Sequence, residues 1–355
     1  MLRLRCLASV VVVALAAAVL LPGAASADPI ADKRRKAAQL ADEVDRLNNR
    51  AEQLTEQYNQ AVSDLANLDQ QVRDAEVKLA QRKQQISAAR LEMGDWALRT
   101  FAHGGSSDPL LSVLDGSTGA GGAALRQGYV DLAVGRDQQS ADELRRKRED
   151  AAAVQADLEA KRKTQSDLNR QISGTRQQVE QATSAVEALL AKTTSDLRRL
   201  VAAEQARRAA AAEAATRARL KKGTATGIRR VVNVPPPPSP GAAGAVEQAM
   251  SQVGVPYRWA GASPDTGFDC SGLIMWAWAR AGRPGLPHNA LAQWLSLPHV
   301  NIEDLQPGDI VFFGNDFHHD GMYIGGGQMV HAPHTGDFVK VSSIYRSDLV
   351  GAARP

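Results

Sequence analysis

Gly267-Phe268-Asp269-Cys270-Ser271-Gly272-Leu273 runs directly into the apolar series Leu273, Ile274, Trp276 and Ala277. That series reads as a helix, and it places the Cys270 thiol in the helix's first turn. Unpaired N–H groups there carry partial positive charge, which favours thiolate over thiol and makes the sulfur a nucleophile near neutral pH. Downstream, His319 and His331 fall in successive apolar runs that read as strands. A nucleophile, a base and a residue to orient the base can therefore all be named, as covalent catalysis by cysteine requires.

Working outward, Ala245 to Val253 reads as a helix and Gly254-Val255-Pro256-Tyr257 as a turn. A second helix is expected from about Cys270 to Ala281. The segments Ile310–Phe313, Met322–Ile324, Met329–His331 and Val339–Ser342 are short apolar runs divided by glycine and turn residues, which predicts an antiparallel sheet. Helices first and strands after give an α+β domain over residues 245–355. Trp259, Trp276, Trp278, Trp294, Tyr257, Tyr323 and Tyr345 all lie beyond residue 250, so the globular core belongs there.

Upstream of that domain, Pro235-Pro236-Pro237-Pro238-Ser239-Pro240 favours extended polyproline geometry and marks residues 223–244 as a semi-rigid linker. Residues 28–222 have a different character. From Leu40 to Trp96, apolar residues recur at spacings of four and three, among them Val44, Leu47, Leu54, Tyr58, Leu65, Leu68, Val72, Leu79 and Ile86. A second series runs through Leu144, Val154, Leu158, Leu168, Ile172, Val179, Val186, Leu189 and Leu200, with Ala202 to Ala218 expected to continue the same helix. Such heptads specify coiled coil. Gly104-Gly105, Asp108-Pro109 and the glycines at 116, 119, 121 and 122 interrupt both series, so the chain is expected to turn back at about residues 100–128. An antiparallel hairpin follows, with Leu110, Leu111, Val113 and Leu114 near its tip as local packing or a docking surface. Periodicity alone leaves pairing within one chain and pairing between chains both open.

Residues 1–27 read as an export leader: basic Arg3 and Arg5, an apolar stretch from Leu7 to Leu21, and the small-residue site Ala25-Ser26-Ala27. The formal charge of +3 includes those two arginines, so nothing in the charge points to nucleic acid. Cys6 would leave with the leader, and Cys270 would remain as a single free thiol in an oxidising location. The expected location is secreted, periplasmic or associated with the cell wall. His288, His318, His319, His331 and His334 invite a zinc reading, but metal-site spacing is missing and no metal or cofactor is expected.

Five ordered motifs carry a family resemblance: Val255-Pro256-Tyr257-Arg258-Trp259-Ala260-Gly261, then Gly267 to Leu273, then Leu305-Gln306-Pro307-Gly308-Asp309-Ile310-Val311-Phe312-Phe313, then His319-Asp320-Gly321-Met322-Tyr323-Ile324-Gly325, then Met329-Val330-His331-Ala332-Pro333. Together they resemble the NlpC/P60 cysteine peptidases over the last third of the chain. The whole arrangement resembles the actinobacterial Rip-type peptidoglycan endopeptidases, on architecture more than on motif. The resemblance implies a papain-like fold and cleavage of peptidoglycan stem peptides, typically between D-isoglutamate and meso-diaminopimelate. It makes Cys270 the nucleophile, His319 the general base and His331 its orienter, with Tyr257, Asp269 and Ser271 lining the substrate cleft. Tyr257 also reads as a core aromatic, and Asp269 as a helix N-cap. By analogy the coiled coil would restrain or position the catalytic domain until its tip meets a membrane division partner such as an FtsEX-type ABC transporter. A noncatalytic wall-binding or division-complex scaffold, and an amidase of the same fold, are the alternatives. Two residues depart from the family pattern: Asp320 stands where an apolar residue is common, putting a charge near the base, and His288 stands where arginine is usual.

Overall fold

The computed structural model describes residues 29–103, 120–222 and 238–355. The expected leader, the glycine-rich tip residues 104–119 and most of the proline-rich linker lie outside the described residues. Helix α1 (Pro29–His103) is 75 residues long, about 110 Å at 1.5 Å per residue. Helix α2 (Ala120–Ala191) runs back along it. The pairing is antiparallel and within one chain: Arg162 reaches Glu76 at 2.7 Å, Gln165 reaches Asp69 at 2.6 Å and Arg82 reaches Asp150 at 2.8 Å. Val44, Ala51, Leu54, Ala61, Leu68, Val72 and Ala75 of the first apolar series are buried, as are Leu144, Leu158, Val179 and Val186 of the second.

The second helix does not continue unbroken to residue 218. It ends at Ala191, and helix α3 (Ser195–Lys221) restarts after Thr194, whose side chain accepts the N–H of Leu197. Thr193 Oγ1 donates to the Leu189 carbonyl at 2.7 Å, so two adjacent threonines satisfy backbone groups at the break. Helix α3 then packs on the start of α1 through Ala37, Ala41 and Val201, with Gln205 donating to Asp45 at 2.7 Å.

The C-terminal unit opens with α4 (Ala242–Ser251), a two-residue ribbon of β1 (Ala262–Ser263) and β2 (Gly267–Phe268), α5 (Cys270–Arg280) and α6 (Ala290–Ser296). Strands β3 (His299–Val300), β4 (Ile310–Phe313), β5 (His319–Gly325), β6 (Gln328–His331), β7 (Lys340–Ser343) and β8 (Leu349–Ala353) form one antiparallel sheet in the order β3-β8-β4-β5-β6-β7. The fold is α+β. Alternation along β4 sends Ile310 and Phe312 to one face and Val311 and Phe313 to the other. The first face meets α4 and α5 through Leu273, Ile274, Ala277 and Trp278; the second packs on Met329, Ile344, Leu349 and Ala352.

The helical hairpin touches this unit at two places. The end of α3 lies on the second sheet face, where Leu220 joins the apolar cluster, Arg217 sits 4.5 Å above the Tyr345 ring, and Thr216 Oγ1 donates to the Arg346 carbonyl. The other contact is made by α1, at the start of α5.

Candidate active site

Asp269 begins the site. Its Oδ1 accepts the N–H of Gly272 at 2.7 Å, which makes it the N-cap of α5 and fixes Cys270 in the helix's first turn. Gly272 is required there: a Cβ would lie 2.1 Å from the Gly261 carbonyl oxygen, so the first turn of α5 can press against the preceding loop only with glycine at this position. Asp269 also accepts from His288 Nε2 at 2.8 and 2.9 Å on its two oxygens. Burial lowers His288, but the charge and hydrogen bond of Asp269 outweigh it and leave this histidine raised above 6.5.

The histidines form a chain across three strands. His319 Nε2 on β5 lies 2.8 Å from His331 Nδ1 on β6, and His331 Nε2 lies 3.0 Å from Ser342 Oγ on β7. Burial first, then the positive charge of Arg346, holds both imidazoles well below the usual histidine range, so both are neutral. A neutral ring has one donor and one acceptor nitrogen. If His331 donates to Ser342, its Nδ1 must accept from His319 Nε2–H, and His319 Nδ1 is left with a free lone pair. Nδ1 has no hydrogen-bond partner among the described residues; the nearest acid is Glu52 of α1, with Oε2 at 3.6 Å. Ser342 and Arg346 were not anticipated from the sequence. Arg346 pairs with Asp348 at 2.9 Å and stacks 4.6 Å from the Phe313 ring.

Helix α1 covers the site. Glu52, Thr55, Glu56 and Asn59 recur at helical spacing, and all four are buried although all are polar. Glu56 does most of the bonding. Its Oε1 accepts from Ser271 Oγ at 2.8 Å and lies 3.5 Å from Cys270 Sγ; its Oε2 accepts from Asn289 Nδ2 at 2.8 Å and from the Ala290 N–H at 2.7 Å. Asn289 Nδ2 also donates to the Glu56 carbonyl at 2.9 Å, and Asn59 Nδ2 donates to Asp269 at 3.0 Å. Tyr58 meets Trp259 edge to face with centroids 5.3 Å apart. Ser271 and Asp269, expected to line a substrate cleft, are thus occupied by side chains of the same chain. Tyr257 is partly buried against the core; burial and then the nearby Asp269 and Cys270 push its hydroxyl well above 10.

One expectation is overturned by this arrangement, that the helix terminus would favour thiolate at Cys270. The residue is 2% exposed, and burial followed by Glu56, Asp320 and Asp269 raises the thiol well above 9, so desolvation and surrounding carboxylates outweigh the helix terminus. Asp320, which departs from the family pattern beside the base, is itself fully buried, and His319 is lowered chiefly by its own burial. His318 pairs with Asp316 at 2.6 Å, and His334 bonds the Thr335 carbonyl.

With this geometry in place, comparison with known proteins gives a consistent result. Residues 254–350 match the NlpC/P60 family. Over 109 residues the chain is 47% identical to "Probable endopeptidase Rv2190c" of Mycobacterium tuberculosis (strain ATCC 25618 / H37Rv), covering 31% of this chain and 28% of that protein. It is 36% identical over 120 residues to the murein DD-endopeptidase MepH of Escherichia coli K12, covering 31% of this chain and 44% of MepH. It is 38% identical over 117 residues to the peptidoglycan endopeptidase RipA of Mycolicibacterium smegmatis, covering 29% of this chain and 23% of RipA. The chain spans less than half the length of each of these relatives, and the likeness lies in the C-terminal region. Residues 254–350 are an NlpC/P60 domain.

Proposed function

We propose that the chain is an exported peptidoglycan endopeptidase whose catalytic cleft is held closed by its own coiled coil. The observation that carries the catalytic reading is the hydrogen-bonded chain Ser342–His331–His319, which leaves His319 Nδ1 as the one uncommitted nitrogen on the side closed by Glu52. With α1 displaced, His319 Nδ1 takes the Cys270 proton and the sulfur attacks the scissile carbonyl carbon. The tetrahedral oxyanion is met by the Cys270 N–H, with the Tyr257 hydroxyl as a second donor. The C–N bond then breaks as His319 returns the proton to the leaving amine. Water, activated by the same nitrogen, hydrolyses the thioester and frees Cys270. His331 keeps the His319 ring in the productive tautomer, and Ser342 does the same for His331.

The occupied cleft also supports the substrate reading. Ser271, Asn289 and the Ala290 N–H together hold a carboxylate beside the sulfur. A D-isoglutamyl residue carries a free α-carboxylate two methylenes from its scissile γ-amide, so the D-isoglutamyl–meso-diaminopimelate bond is the proposed target, with cell-wall remodelling and division as the setting. Regulation follows from the same contacts: substrate enters only when Glu52, Glu56 and Asn59 leave, and a division partner such as an FtsEX-type ABC transporter acting at the hairpin tip would supply the pull. Product analysis tests the reading. Purified muropeptides incubated with a cleft-opened full chain should yield fragments with a new meso-diaminopimelyl amine, and Cys270→Ala should yield none. Cleavage at the muramyl amide would point to an amidase, and no cleavage at all to a wall-binding scaffold.

A further inference from the structure

Asp269 fixes Cys270, and in the closed cleft three groups fix Asp269, which is fully buried. Oδ1 accepts the Gly272 N–H at 2.7 Å, Oδ2 accepts Asn59 Nδ2 at 3.0 Å, and His288 Nε2 lies across both oxygens at 2.8 and 2.9 Å. Asn59 belongs to α1 and departs with it. The Gly272 N–H meets one oxygen only, so His288 is the side chain left to fix the plane of the carboxyl. Its ring lies against the first turn of α5: a Cβ at residue 272 would be 2.8 Å from His288 Nε2.

The backbone on either side of His288 is anchored without help from α1. Gln293, fully buried, donates from Nε2 to the Pro287 carbonyl at 2.8 Å and to the Ser271 carbonyl at 3.1 Å, which ties the loop before His288 to α5. On the other side Asn289 caps α6 by accepting the Ala292 N–H at 2.8 Å. The imidazole therefore keeps its place whether the cleft is closed or open.

We propose that His288 is a positioning residue for Cys270: it clamps Asp269 across both oxygens and keeps the first turn of α5 in order after α1 leaves the cleft. A buried carboxylate stripped of a donor turns toward any polar group or water within reach, and the cap is lost as it turns. An imidazolium makes the stronger clamp, because a charge-assisted hydrogen bond is about twice as strong as a neutral one. The charged groups facing His288 are Asp269 from the start of α5 and Glu56 from α1, both acidic. Burial works against charge on the ring, yet these acids outweigh it, Asp269 ahead of Glu56, and Asp269 stays when Glu56 departs. The clamp is thus strongest below pH 6.5 and weakens as pH rises through the raised value of the folded chain. Its benefit to catalysis rests on Cys270 being the peptidase nucleophile, but the clamp itself does not.

The test uses full chains opened by Thr55→Trp/Asn59→Trp, in which the Asn59 donor is gone. Adding His288→Ala should lower kcat for muropeptide hydrolysis by about tenfold or more with KM within about twofold, and His288→Arg, a permanent cation, should restore kcat to within about threefold. The opened parent should lose rate relative to His288→Arg as pH rises above 6.5. Hydrogen exchange at the Gly272 amide reads the cap without any turnover: it should quicken by about tenfold or more in His288→Ala and recover in His288→Arg, while amides of β4 stay unchanged. A residue with only a structural role would quicken exchange throughout the domain and leave the pH profile alone. His288→Gln, which keeps a donor without the charge, serves if the alanine chain does not fold, and should lie between the two. Unchanged kcat and unchanged Gly272 exchange in the folded variants overturn the proposal, as does a pH profile that His288→Arg leaves unaltered. No hydrolysis by any chain, with Gly272 exchange still dependent on residue 288, would remove the peptidase reading and leave the clamp intact.

Discussion

Glu56→Ala should loosen the hold of α1 on the cleft in acid and have little effect above neutral pH. In the closed cleft the Glu56 carboxyl receives hydrogen bonds from Ser271, Asn289 and the Ala290 N–H. At about 1 kcal/mol net for each, they favour closure by about 3 kcal/mol. Burial and Asp269 raise the Glu56 pKa from 4.5 to about 7, so the closed state binds this proton more tightly than the open state does. Stability from a raised carboxyl is fully present below its open-state value of 4.5 and is lost as pH climbs to about 7. At pH 5 the loss is under about 1 kcal/mol, leaving about 2 kcal/mol in favour of closure; above pH 7 it is about 3 kcal/mol and cancels the hydrogen bonds. Modification of Cys270 by 4,4′-dithiodipyridine, which reacts with thiols in acid, reads the open fraction. Glu56→Ala should react roughly thirtyfold faster than wild type at pH 5 and within a fewfold of it at pH 8. No acceleration at pH 5, or equal acceleration at both pH values, would show that Glu56 does not hold the cleft closed in this way.

Other outcomes follow from the same contacts. Glu52 is raised further, to about 8, chiefly by burial, so the wild-type chain should open progressively between pH 5 and 8; a spin-label distance between α1 and α6 should lengthen over that range and stay short in Glu52→Gln/Glu56→Gln. In a cleft-opened chain, His319→Ala should reduce muropeptide hydrolysis by at least a thousandfold, whereas Ser342→Ala, which only loosens the His331 tautomer, should cost tenfold or less. Gly272→Ala forces the first turn of α5 away from the Gly261 carbonyl and should lower stability by about 1–3 kcal/mol in thermal melts, with little activity remaining in the folded fraction.

Much of this molecule was legible in the residues themselves. The apolar series at spacings of three and four gave both long helices because burial of that seam is what a coiled coil needs. Phe268 to Leu273 gave a capped helix with a thiol in its first turn because Asp269 is an effective cap. What the seam concealed was a second face: Glu52, Thr55, Glu56 and Asn59 lie off the apolar stripe, and a polar helical stripe ordinarily faces water. Only the cleft, with its own donors in Ser271, Asn289 and Ala290, turns that stripe into a buried one. Strand β8 was missed for a related reason. Gly351, Ala352 and Ala353 have weak strand preference, yet they pair between β3 and β4, so tertiary pairing overrides local propensity. Arg346 and Ser342 carry no motif of their own, and only the sheet brings them beside His319 and His331.

If α1 closes a working cysteine peptidase cleft, side-chain size offers a way to open it that does not depend on pH. Thr55 and Asn59 are both buried at the contact, so Thr55→Trp/Asn59→Trp introduces two side chains with no space to occupy and should expel the helix. The measurement is the initial rate of stem-peptide release from purified peptidoglycan by the full chain. At least a tenfold rise over wild type is expected in Thr55→Trp/Asn59→Trp, abolished when Cys270→Ala is added. Equal release by wild type and the tryptophan variant, or release that survives Cys270→Ala, would contradict it.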